Sequence, residues 1–536
     1  MRRPARLLLS AVCTAALALS GAVTSSAAAE GSSGGATVFN PTLVARGSGA
    51  SIQNAPLSTN AGKPKKEHPL RSGTSKPRPG GGGSDGALQA ANTYGIANAT
   101  LGVNFDGVGV GINPTYTDCC APPDTNAAVG ATEVVEWVNL DFAVFDKAGG
   151  LLKGPVAGNS IWSGFTAGNC GTNNDGDPVV KYDQLRQHWV MQQFSVTGGP
   201  PYYECIAVSS GSNFVTSTWS LYAYSFGSYF PDYPKLAVWG DNLYMSFNLF
   251  NRGRTFSGAA ACAFDLGAGS SGRSQCYQLS TSFGGLLPSD LDGATAAPAG
   301  SPDYFLNFGT NSLNLWKFSA NFATLTFSFT GPTAISVPAF SPACNGGTCI
   351  PQAGTSQKLD SLADRLMFRL AYRNFVDHES LVVDHSVTGS GTSAPRWYEL
   401  RTGTGTTAVV GSGAFQVYQR SSYAPDPTYR WMGSAAMDKF GNIAVGFSAS
   451  SSSINPSIRF ATRLADDTIN TLRSEQSIQV GTGSQSGFNL SRWGDYSSMA
   501  VDPVDDCTFW YASEYLKTTG AFNWSTRLAA FKLPGC

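Results

Sequence analysis

The chain has 536 residues, with 35 Lys and Arg against 36 Asp and Glu, and only 13% of its residues are charged. A near-neutral, weakly charged chain has no basic excess with which to hold nucleic acid. Aromatic residues at 12% and 61 glycines fit an all-β extracellular protein, whose rings either pack sheets together or stack on sugar faces.

Residues 1–29 read as an export leader. MRRPAR is positively charged, LLLSAVCTAALALSGAV is apolar, and SSAAAE offers a small-residue cleavage site between Ala29 and Glu30. No later run reaches the roughly 20 apolar residues of a spanning helix. The expected product is secreted and extracellular, without a membrane span. Of eleven cysteines, Cys13 leaves with the leader, and ten remain. An even number in an exported chain points to disulfides. Spacing pairs Cys262 with Cys276 and Cys344 with Cys349, and Cys507 with Cys536 would staple the last structural unit. Cys119, Cys120, Cys170 and Cys205 are left without assigned partners.

Residues 30–94 form a low-complexity linker or propeptide, rich in Gly, Ser and Pro. Its basic residues Lys63, Lys65, Lys66, Arg71, Lys76 and Arg78 form either a solvated tail or a contact for an anionic wall polymer. From residue 95 to 536 helical periodicity disappears. Runs such as TEVVEWVNLDFAVFD, PVVKYDQLRQHWVMQQFSV, KLAVWGDNLYMSFNLF and NIAVGFSAS predict strands and hairpins. A recurring pattern has a polar start with Asp, a short apolar strand, a turn, and a second strand with an aromatic. It begins at Asp124, Asp177, Asp232, Asp292, Asp360, Gly433 (in place of Asp) and Asp495, at intervals of 53 to 73 residues. Seven such units predict a seven-bladed β-propeller, with six or eight blades as alternatives. GIANATLGVNF is placed to lend a strand to the last blade and fasten the circle.

In a propeller the first strand of each blade lines the channel, so these aspartates should gather at one mouth. Like charges raise one another's pKa. Three arrangements relieve them: a cation such as Ca²⁺, protonated carboxyls serving as general acids, or bonds to backbone N–H groups. Asp124, Asp175 and Asp177 are the candidate metal ligands, since NNDGDP is the most ligand-rich segment. Asp177, Asp232 and Asp495 are the candidate acid and base. RNFVDHESLVVDHS adds His378 with Glu379 as a lyase-type base or an inter-blade hydrogen-bond network, while His188 reads as structural. RWGDY places Arg492, Trp493, Asp495 and Tyr496 together, a set suited to binding a sugar acid. Arg430 and Trp431 repeat half of it one blade earlier, which equally fits a packing device.

Together, PPDTNAAVG, DGDPVVKYDQLRQHWVMQQF, FPDYPKLAVW, YRNFVDHESLVV and RWGDYSSMAVDPVDDCTFWY resemble an uncharacterised family of secreted bacterial propellers of sialidase-like or BNR-like type. The resemblance implies fold and export. The chain lacks the SxDxGxxW boxes of sialidases, so sialidase residues are not carried over. Two functions are expected from these features. One is an extracellular carbohydrate-active hydrolase or lyase working at the channel mouth on a polysaccharide or glycoconjugate, as a monomer. The other is a non-catalytic glycan- or protein-binding propeller, with or without structural calcium.

Overall fold

The computed structural model describes residues 35–60, 63–68, 71, 85–92, 94–96, 99–240, 242–267, 269–402 and 411–536. The leader 1–29 with its cleavage point, and Lys76 and Arg78 of the basic cluster, lie outside the described residues.

The apolar runs become strands buried on both faces. All six residues of Glu133–Val138 are buried, as are all five of Val179–Asp183. Such a strand needs cover on each side, which an isolated sheet lacks and a ring of sheets supplies. The described residues build antiparallel units covering 126–157, 179–227, 229–278, 287–336, 370–423, 429–479 and 498–532, of which the fourth and fifth are joined into one nine-stranded sheet by a parallel pairing of Leu287–Leu291 with Leu370–Asn374. Each opens with an inner strand and steps outward through its neighbours in chain order. The inner strands lie side by side, and the last, Ser498–Val501, lies against the first, Asn126–Val129. The fold is an all-β propeller. Thr100–Asp106 pairs antiparallel with Trp524–Lys532, so a strand that precedes the first unit completes the last.

Aromatic and aliphatic side chains fill the gaps between units. Trp137, Phe142 and Val144 meet Val180, Trp189 and Met191 between the first and second. Phe460 and Phe531 stack at 4.0 Å between the sixth and seventh. Each such side chain contributes about 1.5–3 kcal/mol on burial, so the ring is held by its inter-sheet seams. Four disulfides add to it: Cys262–Cys276, Cys344–Cys349 and Cys507–Cys536, and Cys170–Cys205 among the cysteines that spacing left unassigned.

The recurring Asp has a backbone cause. A left-handed residue sits just before the inner strand in four units, Asp124 (φ 55°), Asp177 (46°), Gly285 (61°) and Asp495 (59°), and at a register shift inside it in two, Tyr233 (53°) and Met432 (53°). Asp and Gly tolerate this conformation better than other residues. The repeat visible in the sequence is therefore partly a conformational device.

Two of the expected inner-strand starts shift. Asp292 follows the fourth inner strand, Leu287–Leu291, instead of preceding it, because Gly285 makes the kink there. Asp360 ends an inserted hairpin of Thr348–Gln352 and Thr355–Asp360, and the fifth inner strand is Leu370–Asn374. Three short segments of the stretch 30–94 pair with the sheets. Thr42–Gly49 adds a fifth strand to the second unit, Thr37–Val38 joins the third, and Leu88–Gln89 joins the fifth.

A candidate active site at the acidic channel mouth

Because the kinks fall at equivalent places, their side chains meet at one end of the channel. Asp124, Asp177, Asp232 and Asp495 come from four different units, and Asp360 reaches the same mouth from the inserted hairpin. Asp124, Asp360 and Asp495 are buried, whereas Asp177 and Asp232 keep part of their surface open. Four cations answer them, one being Arg365, whose guanidinium lies 4.4 Å from the centre of the Tyr233 ring. Arg492 donates to Asp495, and Arg71 lies 3.5 Å from Asp232. Lys235 projects from the third inner strand over the rings of Tyr233 and Tyr496, 2.9 and 3.9 Å from their centroids. The two phenols tie the kinks of the third and seventh units together: Tyr233 donates to the Asp495 carbonyl at 3.1 Å, and Tyr496 to the Pro234 carbonyl at 2.9 Å.

The pairing is incomplete, and the acids feel it. Burial, then Asp232 and Asp495, push the Asp177 carboxyl up to about 7. Burial, then Asp177 and Asp495, push Asp124 well above the usual carboxylate range. Asp232 is also raised by burial, against the pull of Arg71, Arg365 and Arg492. Lys235 is drawn well below the ordinary lysine value by burial, although Asp177 opposes this. One oxygen each of Asp124 and Asp495 has no hydrogen-bond partner, and neither oxygen of Glu204 has one. Glu204 is fully buried, and Asp177 adds to the effect of burial in raising it. An acid poised near neutrality beside a carboxylate held by a guanidinium is an arrangement that can donate a proton at one point and bear negative charge at another.

A segment from the expected linker crosses this mouth. Lys66–Glu67 runs parallel to Cys120–Ala121. Glu67 accepts the backbone N–H groups of Ser491 and Arg492 at 2.9 and 3.1 Å. The His68 carbonyl accepts from Arg492 at 2.6 Å. The Arg71 guanidinium also lies 4.3 Å from the centre of the Phe230 ring. The His68 imidazole is lowered to about 4 by burial, then by Lys66 and Arg492.

The remaining predicted site residues lie elsewhere. Asp175 accepts the Val196 and Thr197 amides at 2.6 and 2.7 Å in a turn. Among the described residues, the one group of three close enough to share a metal ion is Asp438, Cys507 and Cys536, and those cysteines form a disulfide. Asp124, Asp175 and Asp177 thus form no such group. His378 stacks on Phe375 at 4.8 Å in a hairpin turn, while buried Glu379 accepts from Tyr372 at 2.8 Å; neither belongs to the mouth. Arg430 is fully buried and bonds Glu475 and Asp426. Trp431 packs 6.0 Å from Trp493, whose indole N–H donates to Ser448 at 3.1 Å. This pair of RW motifs packs the units, and only Arg492 of the two arginines faces the acids.

Lys235, Glu204, Arg365, Glu67 and His68 were not singled out from the sequence. Glu204 and Lys235 carried a usable signal, each being a charge inside an otherwise apolar strand run.

No family model matches the chain, and no curated protein does. Solved structures return distant likenesses. A protein of unknown function from Dyadobacter fermentans has a TM-score of 0.34 and 10% identity, over 66% of this chain and 94% of that one. The α-L-arabinofuranosidase of Podospora anserina has a TM-score of 0.27 and 9% identity, over 67% and 91%. A mutant α-L-arabinanase of Cellvibrio cellulosa has a TM-score of 0.26 and 9% identity, over 67% and 93%. Similarity this weak carries no argument about chemistry, and the activities in those names remain those proteins' own.

Proposed function

We propose that the protein is an extracellular carbohydrate-active enzyme that cleaves glycosidic bonds at the acidic mouth. Asp177 is the general acid, protonated near neutral pH. Asp495, ion-paired with Arg492, is the partner that stabilises positive charge on the sugar or activates water. Asp232 tunes Asp177 through its charge. The observation that carries this reading is the split between Asp177, raised to about 7, and Asp495, ion-paired with Arg492. Arg71, Arg365 and Arg492 favour a sugar acid in the substrate, which is the point of contact with the sialidase-like resemblance. A lyase working through His378 and Glu379 has no support from their positions.

The test is a polysaccharide screen of the mature protein, uronate-containing glycans first, reading reducing ends and unsaturated-uronate absorbance. Release of reducing ends that Asp177→Asn and Asp495→Asn both abolish is expected. No release from any substrate, with glycan binding that survives both substitutions, would overturn the reading. That outcome belongs to the second reading, a non-catalytic binding propeller, which the contacts of Glu67, His68 and Arg71 across the mouth favour.

A further inference from the structure

Eight cysteines form the four disulfides, and among the described residues Cys119 and Cys120 stand unpaired. They are chain neighbours, 4% and 5% exposed. The Cys120 thiol donates to the Cys119 sulfur, which lowers the Cys119 thiol's pKa and raises that of Cys120. The two sulfurs thus lie within hydrogen-bond reach of each other.

The backbone that carries these sulfurs is also the backbone that holds the crossing segment. Lys66 N–H donates to the Cys119 carbonyl at 2.8 Å, and His68 N–H to the Ala121 carbonyl at 2.7 Å. On the other side, the Trp524 indole donates to the Cys120 carbonyl at 2.7 Å. Asp124 of the acidic mouth follows four residues after Cys120.

We infer that Cys119 and Cys120 are a redox site, a vicinal pair that closes to a disulfide and so sets how firmly residues 63–68 are latched across the acidic mouth. The oxidant is a low-molecular-weight disulfide, as available outside a reducing cytosol. The Cys119 thiolate attacks it, and one thiol leaves. The Cys120 thiolate then displaces the second, giving the vicinal disulfide and two thiols from the oxidant. The new bond encloses the Cys119–Cys120 peptide unit in a small ring and constrains the carbonyls on which the latch depends. Both cysteines are buried and residues 66–67 pair with the backbone of residues 120–121, so exchange should be faster when that pairing opens. Latch and redox state are then coupled in both directions. The inference does not depend on whether the mouth is catalytic.

The experiment uses the mature protein. After incubation with oxidised glutathione it is denatured without reductant, alkylated, and mapped by mass spectrometry. No alkylation at Cys119 or Cys120, and a peptide lighter by two hydrogens, is expected. Native trypsin cleavage after Lys65 and Lys66 is then compared between oxidised and mildly reduced protein. A difference of roughly five-fold or more is expected, and it should vanish in the Cys119→Ser/Cys120→Ser double variant, which also controls for reduction elsewhere. Two alkylatable thiols after the oxidant, a link from either cysteine to another residue, or equal cleavage in both redox states would each overturn the proposal.

Discussion

Two polar layers of the channel, built on the same inner strands, balance charge to different degrees. In the deeper layer Lys181 pairs with Asp290, and Arg369 bonds Asp290 at 2.6 Å and Asp292 at 2.5 Å. Two cations meet two acids, although burial still raises Asp292 and leaves one of its oxygens without a hydrogen-bond partner. Asp290 is held below its ordinary value by Lys181 and Arg369, although burial opposes them. At the mouth the acids outnumber their close cations, Asp177 and Asp124 are raised, and carboxylate oxygens lack partners. Phe368 touches both layers, its ring 5.9 Å from Tyr496 and 5.7 Å from the Lys181 ammonium. Matched buried charges hold position, whereas mismatched ones keep a proton in play. The deeper layer is therefore read as structural and the mouth as chemical.

The sharpest way to break this comparison is to remove a charge from each layer. Arg369→Met removes the cation bonded to Asp292 and leaves Asp290 with Lys181 alone, and should cost about 3–5 kcal/mol in urea unfolding. A loss under about 1 kcal/mol would mean that the deeper layer is not held by its pairs. Asp177→Asn should do the reverse. It removes a strained acid, so stability should change by less than about 1 kcal/mol, while glycan cleavage falls by about 10²–10⁴-fold. In the unmodified protein that activity should decline as pH rises through about 7, as Asp177 loses its proton.

Asp384 sharpens the comparison because it is a raised acid outside the mouth. It is buried in the fifth unit, neither oxygen has a partner, and burial alone raises it to about 8 from 3.8. A side chain at Gly433 would run into it, which is one reason for glycine at that position. The folded form keeps a proton that the unfolded chain releases. Its contribution to stability is therefore present below about pH 4 and is lost as pH rises from there to about 8. Asp384→Asn should flatten that decline and add about 1–3 kcal/mol at pH 9, read from urea midpoints across pH. No change in slope would show that Asp384 does not hold its proton.

How much of this was legible depends on what each feature is made of. Strands that bury side chains announce themselves, and VVKYD and EVVEWV were readable as apolar runs. Thr42–Gly49 joins its sheet through main-chain bonds, and its sequence TLVARGSG has no apolar pattern to betray it. The aspartate repeat was visible where Asp makes the kink, at Asp124, Asp177 and Asp495. It slipped where Gly285 serves instead and where a hairpin was inserted before the fifth unit. The mouth itself was foreseeable as a gathering of acids. Of its basic partners Arg492 was, beside Asp495 in RWGDY, whereas Arg71 comes from the expected linker and Lys235 shows only as one charge in a strand.

The smallest expected effect separates sequence proximity from spatial proximity. His378, Asp377 and Glu379 are adjacent and look like a proton-transfer set. Yet Asp377 is exposed with His378 2.8 Å away, while Glu379 turns inward to the phenols of Tyr372 and Tyr304. The strand's alternation sends neighbours to opposite faces, so this acid and base cannot share one reacting atom. His378→Ala should lose the stacking on Phe375, worth about 0.5–1.5 kcal/mol at most, and leave glycan cleavage within about two-fold of the original, a difference well below the tenfold per 1.4 kcal/mol that a catalytic loss would show. Loss of cleavage in that variant, with urea stability retained, would move the chemistry from the acidic mouth to this hairpin, because no packing effect of an imidazole in a surface turn accounts for it.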